Sequence, residues 1–117
     1  MKTVDIQGKP YVTVNERLKY FREKFQGYGL TTVITHLNEN GVVIQATIFN
    51  DKGEAVATGT AHEVKGSSFI NKTSFIENCE TSAWGRALAN FGIGIDNSVA
   101  SADEVANAIK QQNGATA

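Results

Sequence analysis

The apolar positions near the start of the chain follow a helical period. They recur every three or four residues, at Val14, Leu18, Phe21 and Phe25, which places them on one side of a helix. Residues 13–16 have the form of a capping box, in which Thr13 caps the first turn and Glu16 reaches back to it. The pattern predicts an amphipathic helix that starts after Thr13 and ends before Gly27.

Three later segments alternate between their two faces, as half-buried strands do. They span residues 31–37, 42–49 and 55–64, and the Asn- and Gly-containing segments between them are typical of tight turns. The pattern therefore predicts an antiparallel β-meander. One face of its third strand carries only small residues, namely Ala55, Ala57, Gly59 and Ala61, and such a row favours the close approach of a helix.

A long helix is predicted over residues 74–91, with Gly92 at its C-terminal cap. Its apolar stripe consists of Ile76, Cys79, Ala83, Ala87, Leu88 and Phe91. Ser101 is placed to cap a last short helix, and the polar end of the chain favours a disordered tail. We therefore expect one domain, residues 1–112, followed by a tail at residues 113–117.

These elements predict an α+β fold: an antiparallel three- to four-stranded β-meander with the long helix packed on one face and short flanking helices. The alternative is an OB-like barrel, which would also need strands at residues 2–6, 11–12 and 93–95.

The composition of the chain excludes several classes of function. The 117 residues include 11 Lys and Arg against 12 Asp and Glu, for a net charge of -1, which excludes a strongly basic nucleic-acid binder at the level of the whole chain. Six of the cations lie within residues 1–25, however, so one face can still be basic. One Cys and two His give no basis for a disulfide framework, a metal site or a cofactor. No apolar run is long enough to span a membrane, and the N-terminal residues do not resemble a signal peptide.

No constellation of residues predicts catalysis. Cys79 falls on the apolar stripe of the long helix, where a small hydrophobic residue is expected. His36 and His62 have no evident nucleophile or acid as a partner. We therefore expect a protein that is not an enzyme.

Two segments have the residue types of a single-strand platform, in which bases stack on aromatic rings and phosphates pair with cations. On the first helix these residues are Arg17, Tyr20, Arg22 and Lys24, and in the loop before the long helix they are Lys65, Phe69 and Lys72. A solvated basic helix face and an ordinary surface loop have the same residue types and are the alternatives.

The long helix contains Gly85 in its interior, at a cost of about 1 kcal/mol relative to Ala. Close approach of another backbone would explain this residue. We predict that Arg86 contacts phosphate or a base, and that Trp84, Gly85 and Ala89 form a subunit interface in a dimer or larger homo-oligomer. A chain with so few cations needs several subunits on one strand for useful affinity.

Three segments carry a likeness to a known family: ETSAWGRALANFGIGID at residues 80–96, YVTVNERLKYFR, and GVVIQATIFNDKGEAVATGTAHEV. Together they resemble small single-stranded-DNA-binding proteins of lactococcal and related siphophages. The chain is more distantly similar to the Rad-fifty-two-type single-strand annealing superfamily, although Gly85 precedes Arg86 where that superfamily has a Lys-Arg pair. The resemblance implies a β-β-β-α core that assembles into rings, with Arg86 facing DNA.

The function implied is sequence-nonspecific binding of single-stranded DNA during phage recombination or replication, with assistance to strand annealing or recombinase loading. The implied partners are single-stranded DNA, further copies of the chain and a recombinase, in the cytoplasm of the infected bacterial host. The alternative is an adaptor module that binds a protein partner and no nucleic acid.

Overall fold

The computed structural model describes residues 1–66, 71–95 and 98–100, with the backbone alone at 71–73 and 98–100. The elements in chain order are β1 Val4–Ile6, β2 Lys9–Thr13, α1 Val14–Lys24, β3 Gly29–Asn38, β4 Gly41–Phe49, β5 Ala55–Val64, α2 Asn71–Phe91 and β6 Ser98–Ala100. The predicted last helix and the tail lie outside the described residues. None of the described helices is both long enough and apolar enough to cross a membrane.

The strands form two sheets, and the predicted α+β class is confirmed. The larger sheet is the antiparallel meander β3-β4-β5, in which Thr32, Ala46 and Gly59 lie opposite one another across the three strands. In the smaller sheet β2 pairs antiparallel with β1 and parallel with β6. The described strands of the two sheets do not pair with each other, so no OB-like barrel forms. Residues 93–95 form a turn instead of the strand that a barrel would need.

Local chemistry sets the element boundaries as predicted. The Thr13 hydroxyl accepts a hydrogen bond from the backbone N–H of Glu16 and caps α1. The Asn38 side chain accepts from the backbone N–H groups of Asn40 and Gly41 and closes the turn between β3 and β4. Gly92 adopts φ +117° after α2, so the chain can turn back without strain.

The core lies between the meander and α2. Four α2 side chains are fully buried, namely Cys79, Ala83, Ala87 and Leu88. The helix approaches β5 so closely that a Cβ added to Gly59 would lie 2.2 Å from the Ala87 backbone nitrogen. The predicted row of small residues on this strand therefore allows α2 to pack closely against the sheet. The regular part of α2 begins after Ser74, whose backbone is not helical (φ -140°), so Asn71 to Thr73 lie before a kink.

An aromatic cluster joins α1 to the end of α2. The Phe25 and Phe91 rings meet edge to face with centroids 4.9 Å apart, and Phe21 and Tyr28 pack beside them. This cluster fixes which side of α1 faces the core and therefore which side faces solvent.

Candidate nucleic-acid interface

The solvent-facing side of α1 combines an aromatic ring with positive charge. Its exposed residues include Lys19, Tyr20, Arg22 and Lys24, and we call these four residues the outer face of α1. Tyr20 and Lys24 are one helical turn apart, so their side chains are neighbours. Glu23 is also exposed on this helix, which leaves three cations against one acid. Arg22 is held in place because its guanidinium carbon lies 5.5 Å from the centroid of the Phe21 ring.

Arg17 does not belong to this outer face, and its prediction as a DNA contact is wrong. The side chain is fully buried, and Nη1 donates a hydrogen bond to the backbone carbonyl of Ile93. Gly94 packs against the same guanidinium and has no side chain to obstruct it. Burial lowers the pKa of Arg17. The sequence held the signal: Arg17 follows Val14 by three residues and precedes Phe21 by four, which is core spacing.

Lys19 is a member of the outer face that the sequence analysis did not single out. It precedes Arg22 by three residues, so helical spacing alone could have assigned it to the same side.

Lys65 lies at the other end of the meander. Its backbone N–H donates to the Asn40 carbonyl at 2.8 Å, which places it beside the turn between β3 and β4. The outer face of α1 precedes the opposite end of β3, and strands of this length separate the two ends by about 30 Å. Lys65 therefore cannot share a compact site with Tyr20. Phe69 and the Lys72 side chain lie outside the described residues.

The same end of the meander carries a shallow cavity of about 270 Å³. Among its lining residues are His36, Asn38, Asn40 and His62. The two histidines lie on β3 and β5, on either side of Val43 of β4, so they are two strands apart. Among the described residues no cluster of three or more His, Cys, Asp and Glu side chains has the arrangement of a metal site.

The α2 residues predicted for binding and assembly have different environments. Arg86 is exposed although its backbone packs against Gly59. Trp84 and Ala89 are half-buried, whereas Gly85 is buried within one chain. Gly85 therefore offers no open surface to a second copy, and its place in the predicted subunit interface is wrong.

The geometry defines a small α+β domain with a basic, aromatic outer helix face. The sequence model of a family described as Slr1353 N-terminal dsRNA-binding domain-like matches residues 18–91. The match covers more than half of the chain and runs from α1 through the meander to the end of α2. The chain belongs to this family, and the match supports a nucleic-acid-binding fold.

A curated relative is the energy-coupling factor transporter ATP-binding protein EcfA1 of Clostridium novyi (strain NT). It is 28% identical over 97 residues, which make up 82% of this chain and 35% of that protein. The chain therefore spans about a third of that relative's length. No solved structure matches the chain. The resemblance to phage single-strand binders and to the annealing superfamily stays a prediction.

Proposed function

We propose that the chain binds single-stranded DNA with little sequence preference and acts in phage recombination or replication without catalysing a reaction. The outer face of α1 is the observation that carries the proposal. Tyr20 is 38% exposed there, one helical turn from the exposed Lys24. Unpaired bases can stack on such a ring while the neighbouring cations pair with phosphates.

The low net charge adds a requirement for assembly. A chain with net charge -1 makes few phosphate contacts, so several copies acting on one strand are needed for tight binding. We therefore include a homo-oligomer in the proposal, together with assistance to strand annealing or to a recombinase in the cytoplasm of an infected bacterium. Binding of this kind weakens steeply with added salt because it releases counterions from the phosphates.

A second candidate is binding of double-stranded RNA, which the family description favours. Duplex RNA is recognised through its shape, its 2′-hydroxyls and its phosphates. Such a ligand could use cations at both ends of the meander, Lys24 at one end and Lys65 at the other, because a duplex is long and rigid. Stacking on Tyr20 would contribute nothing, since the bases of a duplex are already paired and stacked.

The name of the curated relative also raises ATP binding. The phosphate-binding loop of such ATPases has the pattern G-x-x-x-x-G-K followed by Ser or Thr. This pattern does not occur in the 117 residues. We therefore do not extend ATP binding to this chain.

Fluorescence anisotropy with labelled oligo-dT, duplex DNA and duplex RNA of matched length tests the proposal. We expect the tightest binding to oligo-dT. Tyr20→Ala should weaken it about tenfold, the effect of losing one stacked base. Tyr20→Phe is the matched control, because it keeps the ring and should bind as the wild type does. Preferential binding of duplex RNA that Tyr20→Ala leaves unchanged would establish the second candidate and exclude the first. Failure to bind any of the three probes would leave the adaptor alternative.

A further inference from the structure

The outer edge of β3 is one of the two edges of the meander. β3 pairs with β4 along one side, and no described strand pairs with its other side. Along Gly29–Asn38, about every second residue therefore presents its backbone N–H and C=O groups to the open edge. Such an edge is complementary to one kind of ligand, an extended strand.

Apolar side chains are exposed on both faces of this edge strand. Val33 is 60% exposed, Ile34 49% and Leu37 54%. Val33 lies opposite Gln45 on the face away from α2, while Ile34 lies opposite Ile44 of the core. The Thr32 hydroxyl donates to the Glu80 carboxylate at 2.7 Å and marks where α2 reaches β3. Ile34 and Leu37 extend beyond the surface that α2 covers.

β3 lacks the usual features that keep edge strands from pairing. Monomeric proteins protect long edges with charged residues, proline or very short strands. The sequence GLTTVITHLN contains no charged residue and no proline, and it has a single register shift, between Ile34 and His36. From Val33 to Asn38 the strand is exposed, and it is uncharged throughout, so it can accept a further strand.

β5, the strand at the opposite edge of the meander, already contacts α2. The Asn90 side chain donates a hydrogen bond to the Thr58 carbonyl of β5 at 3.0 Å. α2 also packs directly on Gly59, and Glu63 places a negative charge on this strand. β5 is therefore a poorer template than β3 for a further strand.

We propose that β3 pairs antiparallel with β3 of a second copy of this chain and joins two meanders into one six-stranded sheet. Two-fold symmetry brings Val33 and Ile34 of one copy beside the same residues of the other, on matching faces. No charges meet, because β3 has none. A two-fold axis perpendicular to the sheet keeps both helical layers on one side, so the two outer faces of α1 lie on the same side of the dimer.

Light scattering across a range of concentrations, without nucleic acid, tests this interface separately from the proposed function. The wild type should have twice the mass of one chain. Val33→Lys and Ile34→Lys should weaken association at least about tenfold, because each brings two like charges close together across the two-fold axis. Val56→Lys is the matched control, since Val56 is 44% exposed on β5 and should leave the dimer intact. Circular dichroism verifies that each variant is folded.

Three results would overturn the proposal: a wild type that stays monomeric, a wild type larger than a dimer, or dissociation by Val56→Lys as readily as by Val33→Lys. If the lysine variants do not fold, hydrogen exchange of the wild-type protein tests the interface instead. Amide protection within β3 that rises with protein concentration supports the interface. Protection that is independent of concentration excludes it, whatever the protein binds.

Discussion

Arg17 of α1 donates a hydrogen bond to the backbone carbonyl of Ile93, 76 positions further along the chain. This contact ties the first helix to the turn that follows α2. A residue whose charge favoured a solvent-facing position thus holds together two distant parts of the fold.

Arg17→Ala should lower the free energy of unfolding by about 2–4 kcal/mol, because it leaves a cavity and deprives a buried carbonyl of its donor. Arg17→Met should cost less, since it refills the volume without a charge. Lys19→Ala is the control on the same helix and should stay within about 0.5 kcal/mol of the wild type. Denaturant titrations followed by Trp84 fluorescence measure all three. Equal stability of Arg17→Ala and Lys19→Ala would contradict a structural role.

Gly59→Ala should destabilise the chain by about 1–3 kcal/mol, the usual range for overpacking a core. The added Cβ would lie 2.2 Å from the Ala87 nitrogen and 2.6 Å from the Arg86 carbonyl carbon, so backbone has to move. Gly29→Ala is the matched control, because nothing lies within 4 Å of its added Cβ. Thermal unfolding of the two variants measures the difference in their stability. A Gly59→Ala protein as stable as Gly29→Ala would show that α2 can shift away from β5 at little cost.

The Cys79 thiol should make stability fall at alkaline pH. Burial raises its pKa, the charge of Glu63 raises it further, and backbone hydrogen bonds and Arg86 partly oppose this. The unfolded thiol then ionises first, so stability is complete below its ordinary pKa and is lost as pH rises towards the folded value, with a slope of up to about 1.4 kcal/mol per pH unit. Denaturation at increasing pH should show a steeper fall for the wild type than for Cys79→Ala. Parallel curves would rule out the linkage.

Arg86→Ala should lower affinity for oligo-dT by about 1–2 kcal/mol while the fold stays intact, the effect of losing one charge-assisted contact. Lys9→Ala, which removes an exposed cation from β2, controls for the change in net charge. Anisotropy and denaturation are measured on the same samples. If Arg86→Ala lowers stability but not the affinity of the folded fraction, Arg86 is a structural residue and the proposed site reduces to the outer face of α1.

The sequence was most informative where structure depends on neighbouring residues. The turn at Asn38–Gly41 closes through the Asn38 side chain, so its location can be predicted from the tetrapeptide alone. The same holds for the helix end at Gly92, where the Ile93 N–H donates to the Leu88 carbonyl. Predicted and observed bounds agree for β5, Ala55–Val64.

Features that depend on distant partners were predicted poorly. β6 pairs in parallel with β2, from which it is separated by most of the chain. A strand of three residues carries too little pattern to be predicted from the sequence. Arg17 was assigned to solvent because a positive charge usually lies there, although its spacing from Phe21 indicated burial. Gly85 was assigned to an interface between copies because spacing on one helix cannot tell a neighbour in the same chain from one in another.

The long separation between Arg17 and Ile93 has a consequence for the order of folding. The hairpins of the meander join segments adjacent in the chain, whereas docking α1 onto the end of α2 closes a loop of most of the domain. Loop closure costs conformational entropy that grows with length, so nearby pairings form first. We therefore expect the meander and α2 to assemble first and α1 to dock last. Under mild denaturant, amide exchange in α1 should accelerate before exchange in β4 does.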